Sequence, residues 1–500
     1  MSLGKKVLSS AILLFIRKIW SNVINLVVMA FLARMLNKED FGLLAVSSVL
    51  LSIINSLATS GIAEYVIYYK GDREREVINA AFWLNLILTI AVVLIAVSVG
   101  PFWSSFYEND KIFSLILLLL VSFFFEMSST IPRSLLRKEL EYKTLVFYGT
   151  ASMTLISIGK LVAAYFGMGV YSLAIPQAIV SPLLMIALFI KTGWRPLGTL
   201  GMSYFKPIFK YSSNLIGGRV LTRIVNEGDN LIVGKFVGLE GLGVYSLAYN
   251  LANLVTTNVI FIANDIFLPL FSKVKGDVIR LKEIYTNMIN VLASFSFPLI
   301  STLAIFAEPL VSLIYGEKWE GVVLPFQILC VFAVGRSLSS PSSALFSAMG
   351  RPDINFKVAL IFTPLLLFAV YLGSYFEVVG VAVATTIARL LGSVVSLSLS
   401  LNLIALRLAD MFNLIRRNFV VAALFMLIVF VVYLYLNVEN TVFTVLIFIP
   451  FVIYGQYIIQ RFLFQKDFIE FISRIKNLVG SRFPLKLIDQ MFFIKVRNDR

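Results

Sequence analysis

Four polar residues stand on one face of a helix near the middle of the chain. Arg219, Arg223, Asn226 and Asn230 fall at i, i+4, i+7 and i+11, the spacing at which side chains of an α-helix line up. Near the start of the chain Lys18, Asn22 and Asn25 repeat the first part of that stripe, and Arg336 and Arg389 interrupt two further apolar stretches. A guanidinium meets phosphate or carboxylate oxygens two at a time, and such pairs strengthen where water is excluded. Carboxamides hydrogen-bond hydroxyls. Together these residues could recognise an anionic, hydroxyl-rich ligand such as a phosphate-bearing head group with sugars attached. Plainer roles exist for several of them. Glu227 lies at i+4 from Arg223 and can neutralise it within one helix. Asp229 can pair with a neighbouring helix. Arg17 and Lys18 can reach back to a membrane interface along their aliphatic stems.

Bond-making chemistry finds little support. The chain has no His and one Cys, Cys330. That excludes His-based acid–base catalysis, His/Cys metal centres, Cys–His nucleophiles and intrachain disulfides. No Walker A sequence occurs, and Gly241-Leu242-Gly243 sits in a turn between two apolar stretches, not in a strand–helix unit. No catalytic residue, no metal and no cofactor is expected. The remaining carboxylates of interest are Glu64 and Asp265, placed towards the ends of their helices, where with Glu227 and Asp229 they could act as gate or ion-coupling groups.

The elements that must position these residues are membrane helices. The 500-residue chain is 59% hydrophobic and 14% charged, against about 45–50% and about 25% for soluble chains. A helix crossing the hydrocarbon layer needs about 20 apolar residues. Apolar runs suggest fourteen spans: 12–33, 43–68, 78–100, 112–130, 145–167, 170–190, 208–234, 243–268, 286–307, 324–348, 356–376, 378–402, 418–436 and 441–463. The charge distribution tests that count. With the N-terminus in the cytoplasm, 31 of the 43 Lys and Arg fall on the inner side with 13 of the 28 acids, whereas the outer loops hold 5 basic and 10 acidic residues. Both termini are therefore expected in the cytoplasm, and the net charge of +15 reflects topology and attraction to anionic lipid, with no need of nucleic acid. No cleavable leader is evident, so the first apolar stretch is expected to be a retained helix. Residues 464–500 have the pattern of a basic amphipathic helix on the inner membrane face.

An internal repeat organises the spans. At an offset of 201 residues, Arg34–Leu44 aligns with Lys235–Tyr245, so that Gly42 meets Gly243 and Glu39 meets Glu240. Lys18 then meets Arg219, Asn25 meets Asn226 and Glu64 meets Asp265. Six spans separate the copies, an even number, so both copies run the same way through the membrane. This predicts two six-helix lobes: residues 1–190 and 208–402, joined by a cytoplasmic linker at 191–207, with two extra spans in 403–463 and the tail 464–500. Arg336 and Arg389 each lie 11–12 residues from the outer ends of their spans, or ~17 Å deep at the helical rise, near the midplane.

Several segments resemble one family. Arg34–Gly42, RMLNKEDFG, and its echo in Gly234–Tyr245 resemble the first-hairpin pattern of polysaccharide exporters. Tyr315-Gly316 with Trp319 and Pro325, and Ala344–Arg351, ALFSAMGR, are similar to later segments of the same family. The chain is identified as a member of the oligosaccharidyl-lipid/polysaccharide exporters of the MOP superfamily, the Wzx-like flippases. The resemblance implies a V-shaped, MATE-like pair of lobes, alternating access driven by an H⁺ or Na⁺ gradient, and translocation of undecaprenyl-pyrophosphate-linked oligosaccharide from the inner to the outer leaflet of the cytoplasmic membrane. It also implies membrane lipids and other polysaccharide assembly proteins as partners. The expected substrate-binding residues are Lys18, Asn25, Arg219, Arg223, Asn226, Arg336 and Arg389. A MATE-like exporter of cations is the alternative on the same fold, and a membrane polysaccharide polymerase or ligase the less favoured one.

Overall fold

A computed structural model describes residues 3–58, 61–435, 451–452 and 454–455. The last expected span and the basic tail lie almost wholly outside them. Among the described residues every regular element is a helix. The first repeat runs α1 Leu3–Met35, α2 Lys38–Ala58, α3 Ile62–Tyr68, α4 Glu74–Phe106, α5 Lys111–Ser128, α6 Thr130–Lys138, α7 Tyr142–Tyr165 and α8 Ile175–Thr192. The second runs α9 Phe205–Phe236, α10 Leu239–Val274, α11 Val278–Ile305, α12 Ala307–Tyr315, α13 Val323–Ala348, α14 Pro352–Ser374 and α15 Glu377–Leu403, followed by α16 Leu408–Tyr435. Lys38 and Leu239, which the 201-residue offset matches, each begin a helix, α2 and α10.

Thirteen of the fourteen expected spans have a helical counterpart, and among the described residues eleven segments are long and apolar enough to cross a membrane. The exact number fourteen is not established. Helix α9 falls outside those eleven because Lys206, Lys210, Arg219, Arg223, Glu227, Asp229 and Lys235 interrupt it. Two boundaries differ from expectation for identifiable reasons. The second span is not continuous to residue 68: α2 ends at Ala58, and Gly61 at φ +78° turns the chain into the short α3, a backbone conformation glycine adopts without strain. The fourth span, expected to stop at 130, continues through Ser129 as α6 to Lys138. Pro132 supplies no N–H there. Ser128 and Ser129 bond back to the carbonyls of Phe124 and Phe125, and Ser134 to that of Thr130, which keeps the chain helical past the proline. The consequence is that Arg133 and Arg137 stand on a helix.

The chain divides into two compact units, Met1–Ser246 and Leu247–Arg500. In the first, Ile62, Val66, Ala80, Ala81 and Ile131 are buried together, tying α3 and α6 to α4. In the second, Phe271, Tyr285, Met288, Ile289 and Leu345 form the centre of a larger core. That core holds a closed triangle of hydroxyls. Tyr285 Oη lies 3.0 Å from Ser342 Oγ and 2.6 Å from Ser400 Oγ, with 3.0 Å between the two serines. Buried hydroxyls need partners, and these three satisfy one another while joining α11, α13 and α15. Elsewhere Phe102, Phe147, Ile190, Ile361 and Phe368 are largely exposed, as suits a surface that faces lipid.

Candidate functional site

The polar stripe on α9 is largely engaged on its own helix pair. Arg223 Nη1 donates to Glu227 Oε1 at 3.2 Å, the i+4 ion pair. Asp229 is buried, accepting from the Tyr245 hydroxyl at 2.9 Å and from the Asn230 amide at 3.1 Å. It fastens α9 to the start of α10. Asn226 is half-buried beside them. The side chains of Arg219 and Asp265 lie outside the described residues. On α1, Lys18 is half-buried and Asn25 exposed. Glu64 is exposed in the first turn of α3, where a carboxylate complements the positive end of the helix.

Arg336 and Arg389 are brought together in the second unit. Arg336 Nη1 donates to Asn253 Oδ1 at 2.5 Å, and the guanidinium also hydrogen-bonds Tyr249. Its centre lies 5.9 Å from the Phe332 ring. Arg389 lies 5.3 Å from the Tyr249 ring and 5.5 Å from the same Phe332 ring. Two like charges, from α13 and α15, thus share the Phe332 ring of α13, with Tyr249 of α10 beside it. Rings hold the cations by their electron-rich faces, and two cations side by side favour an anion between them.

A second basic cluster escapes the sequence pattern. In the first unit Arg133 of α6 lies in the field of Glu126 on α5, Arg137 on α6 and Arg17 on α1. Gln177 of α8 hydrogen-bonds the Glu126 carboxylate. The Arg17 guanidinium lies so close to Gly149 of α7 that a methyl there would meet Arg17 Nη2 at 2.5 Å. Glu126 thus faces Arg133, and Arg133 also faces two like charges, Arg17 and Arg137. Arg17, Glu126, Arg133 and Gln177 are half-buried and Arg137 exposed. Sequence reasoning placed Arg133 and Arg137 in a cytoplasmic loop and read Arg17 as reaching for the interface. The available signal was the seven-residue step from Glu126 to Arg133, two turns of a helix that had to continue past Pro132.

Lys160 of α7, a further cation within a span, makes no hydrogen bond or ion pair among the described residues. No group of three or more His, Cys, Asp or Glu side chains that could hold a metal occurs among the described residues.

These features define a multi-pass helical membrane protein with basic clusters inside its helix bundles. Its fold is shared by solved helical membrane proteins. The solved structure of the lipid II flippase MurJ in an inward closed conformation matches with a TM-score of 0.72 at 14% identity, covering 91% of this chain and 99% of that one. An inward-facing MATE multidrug resistance transporter matches with a TM-score of 0.63 at 15% identity, over 77% and 94% of the two chains. In sequence, the chain is 25% identical to the lipopolysaccharide biosynthesis protein WzxC of Escherichia coli over 79% of its own length and 81% of that protein. It is 26% identical to the teichuronic acid biosynthesis protein TuaB of Bacillus subtilis over 72% and 75%. The polysaccharide biosynthesis protein family model matches residues 31–324, and the chain belongs to that family.

Proposed function

We propose that this protein is a flippase that moves a lipid-linked oligosaccharide across the membrane, the glycan head passing through the polar interior while the lipid chain stays in the bilayer. The observation that carries the reading is the Arg336–Arg389 pair on its shared aromatic wall, set in a chain of the polysaccharide biosynthesis family. An anionic head group would bind beside two such cations. A cationic drug would be repelled by them, which disfavours multidrug export. The carrier we assign is undecaprenyl pyrophosphate. Its phosphates would meet Arg17, Lys18, Arg133 and Arg137 on the first unit, with Arg219 and Arg223 in addition. Asn25 and Asn226 would meet sugars, and Arg336 and Arg389 anionic groups of the head. The membrane is the cytoplasmic one, with both termini inside. The driving force is an H⁺ or Na⁺ gradient, for which Glu64, Glu227, Asp229 and Asp265 remain the candidate coupling groups, and the protein performs no bond-making step of its own.

In cells deprived of this protein, the wild-type chain restores surface polysaccharide. A variant with both Arg336→Leu and Arg389→Leu is expected to restore less than about a tenth of it, a loss of at least ~1.4 kcal/mol in transport efficiency, at equal membrane abundance. Full restoration by the double variant contradicts the assignment of the pair to the substrate.

A further inference from the structure

The repeated hairpins do more than resemble each other. In the first unit they interlock. A methyl built on Gly42 of α2 would lie 1.8 Å from the carbonyl oxygen of Leu239, the first residue of α10. A methyl built on Gly243 of α10 would lie 2.0 Å from the carbonyl oxygen of Lys38, the first residue of α2. The two contacts exchange under the 201-residue offset, since Lys38 corresponds to Leu239 and Gly42 to Gly243. Each helix thus offers its first carbonyl to the glycine one turn into the other. Only glycine lets two helix starts approach so closely, and a side chain at either position meets backbone, which no rotamer change relieves.

Polar contacts surround the crossing. Lys38 pairs with Glu240 at 3.4 Å. Lys235, at the end of α9, donates to Glu108 Oε1 at 2.9 Å and to the Phe106 carbonyl at 2.7 Å. Tyr107 donates to the Leu231 carbonyl at 3.1 Å, and Asn109 to Glu39 at 3.1 Å. The Lys235 ammonium holds the Glu108 carboxyl below its usual range. Beneath the glycines Leu43, Leu242 and Tyr245 are fully buried. The charge distribution puts this end of the helices on the outer side.

We propose that this reciprocal glycine crossing is a latch that holds the outer ends of the two repeats together and must part for the protein to open outward. Three features favour a latch over a permanent joint. The closest contacts are backbone against backbone, so they separate without unpacking long side chains. The flanking ion pairs are exposed, and exposed pairs hold weakly. The symmetry means that one movement, a parting of the two helix starts, releases both contacts together.

The test uses purified full-length protein in lipid nanodiscs with Cys330→Ala, which leaves no native thiol. A cysteine at Leu242, buried beneath the crossing, reports opening by its rate of labelling with a charged maleimide. We expect Gly42→Ala to raise that rate at least tenfold. A disulfide between cysteines replacing Lys38 and Glu240, with the glycines intact, is expected to lower it at least tenfold until reductant is added. The same disulfide is expected to stop glycan export reversibly in membrane vesicles. Labelling unchanged by the disulfide, or export at full rate through cross-linked protein, overturns the latch. Labelling needs no substrate, so it decides the latch even if the flippase reading fails.

Discussion

The two basic clusters handle buried charge in different ways. The first unit sets Arg133 against Glu126, which Gln177 also hydrogen-bonds, with Arg17 and Arg137 as like charges nearby. The second unit sets Arg336 and Arg389 against an amide, a phenol and a phenyl ring. In the first, opposite charge does part of the work of water. In the second, an amide and aromatic rings hold two cations side by side. The contrast teaches that an arginine within a span is not one kind of object. A cation matched by an acid contributes to the fold, and removing the acid is costly. A cation held by rings and an amide beside a second cation gains less for the fold, and an anionic ligand can bind beside both.

That comparison can be broken at either cluster. The largest stability effect is expected at Glu126. Glu126→Ala leaves Arg133 facing Arg17 and Arg137 without its acid, and a half-buried charge left without its partner costs on the order of 1–3 kcal/mol. A thermal melt of the purified protein should show a clear drop, and an unchanged midpoint would mean that the cluster is already solvated. A much smaller effect is expected at the other cluster. Arg389→Leu removes two cation–π contacts, each about 0.5–2 kcal/mol, and also the repulsion from Arg336, so the midpoint should move little while transport falls. A drop as large as that of Glu126→Ala would show that the pair is structural and erase the distinction.

Much of the fold was legible in the sequence, and parts of the site were not. Apolar run length marks membrane helices because lipid leaves backbone groups no other partner, so thirteen of the expected spans coincide with helices, eleven segments among the described residues being apolar enough to cross a membrane. The 201-residue offset was visible in a handful of polar and glycine positions, and the mutual contact of Gly42 and Gly243 gives those matches a physical cause. The Arg336–Arg389 pairing could not be read, because 53 residues separate them and only the packing of α13 against α15 brings them to one ring. Arg223 went the plainer way: its i+4 partner Glu227 was visible in sequence and is the partner it takes. Arg133 was missed because a proline and paired serines read as the end of a helix. The serine hydroxyls carried the helix on instead.

The most direct measurement is translocation by the purified protein. Reconstituted into liposomes with a fluorescent undecaprenyl-pyrophosphate-linked oligosaccharide, it should move labelled glycan from one leaflet to the other, read by accessibility to a membrane-impermeant quencher. The account predicts that wild-type protein translocates and that the Arg336→Leu, Arg389→Leu double variant does so at less than about a tenth of that rate, the ~1.4 kcal/mol assigned to the pair. Wild-type liposomes that leave the glycan where it started, while expelling a cationic dye, would contradict it.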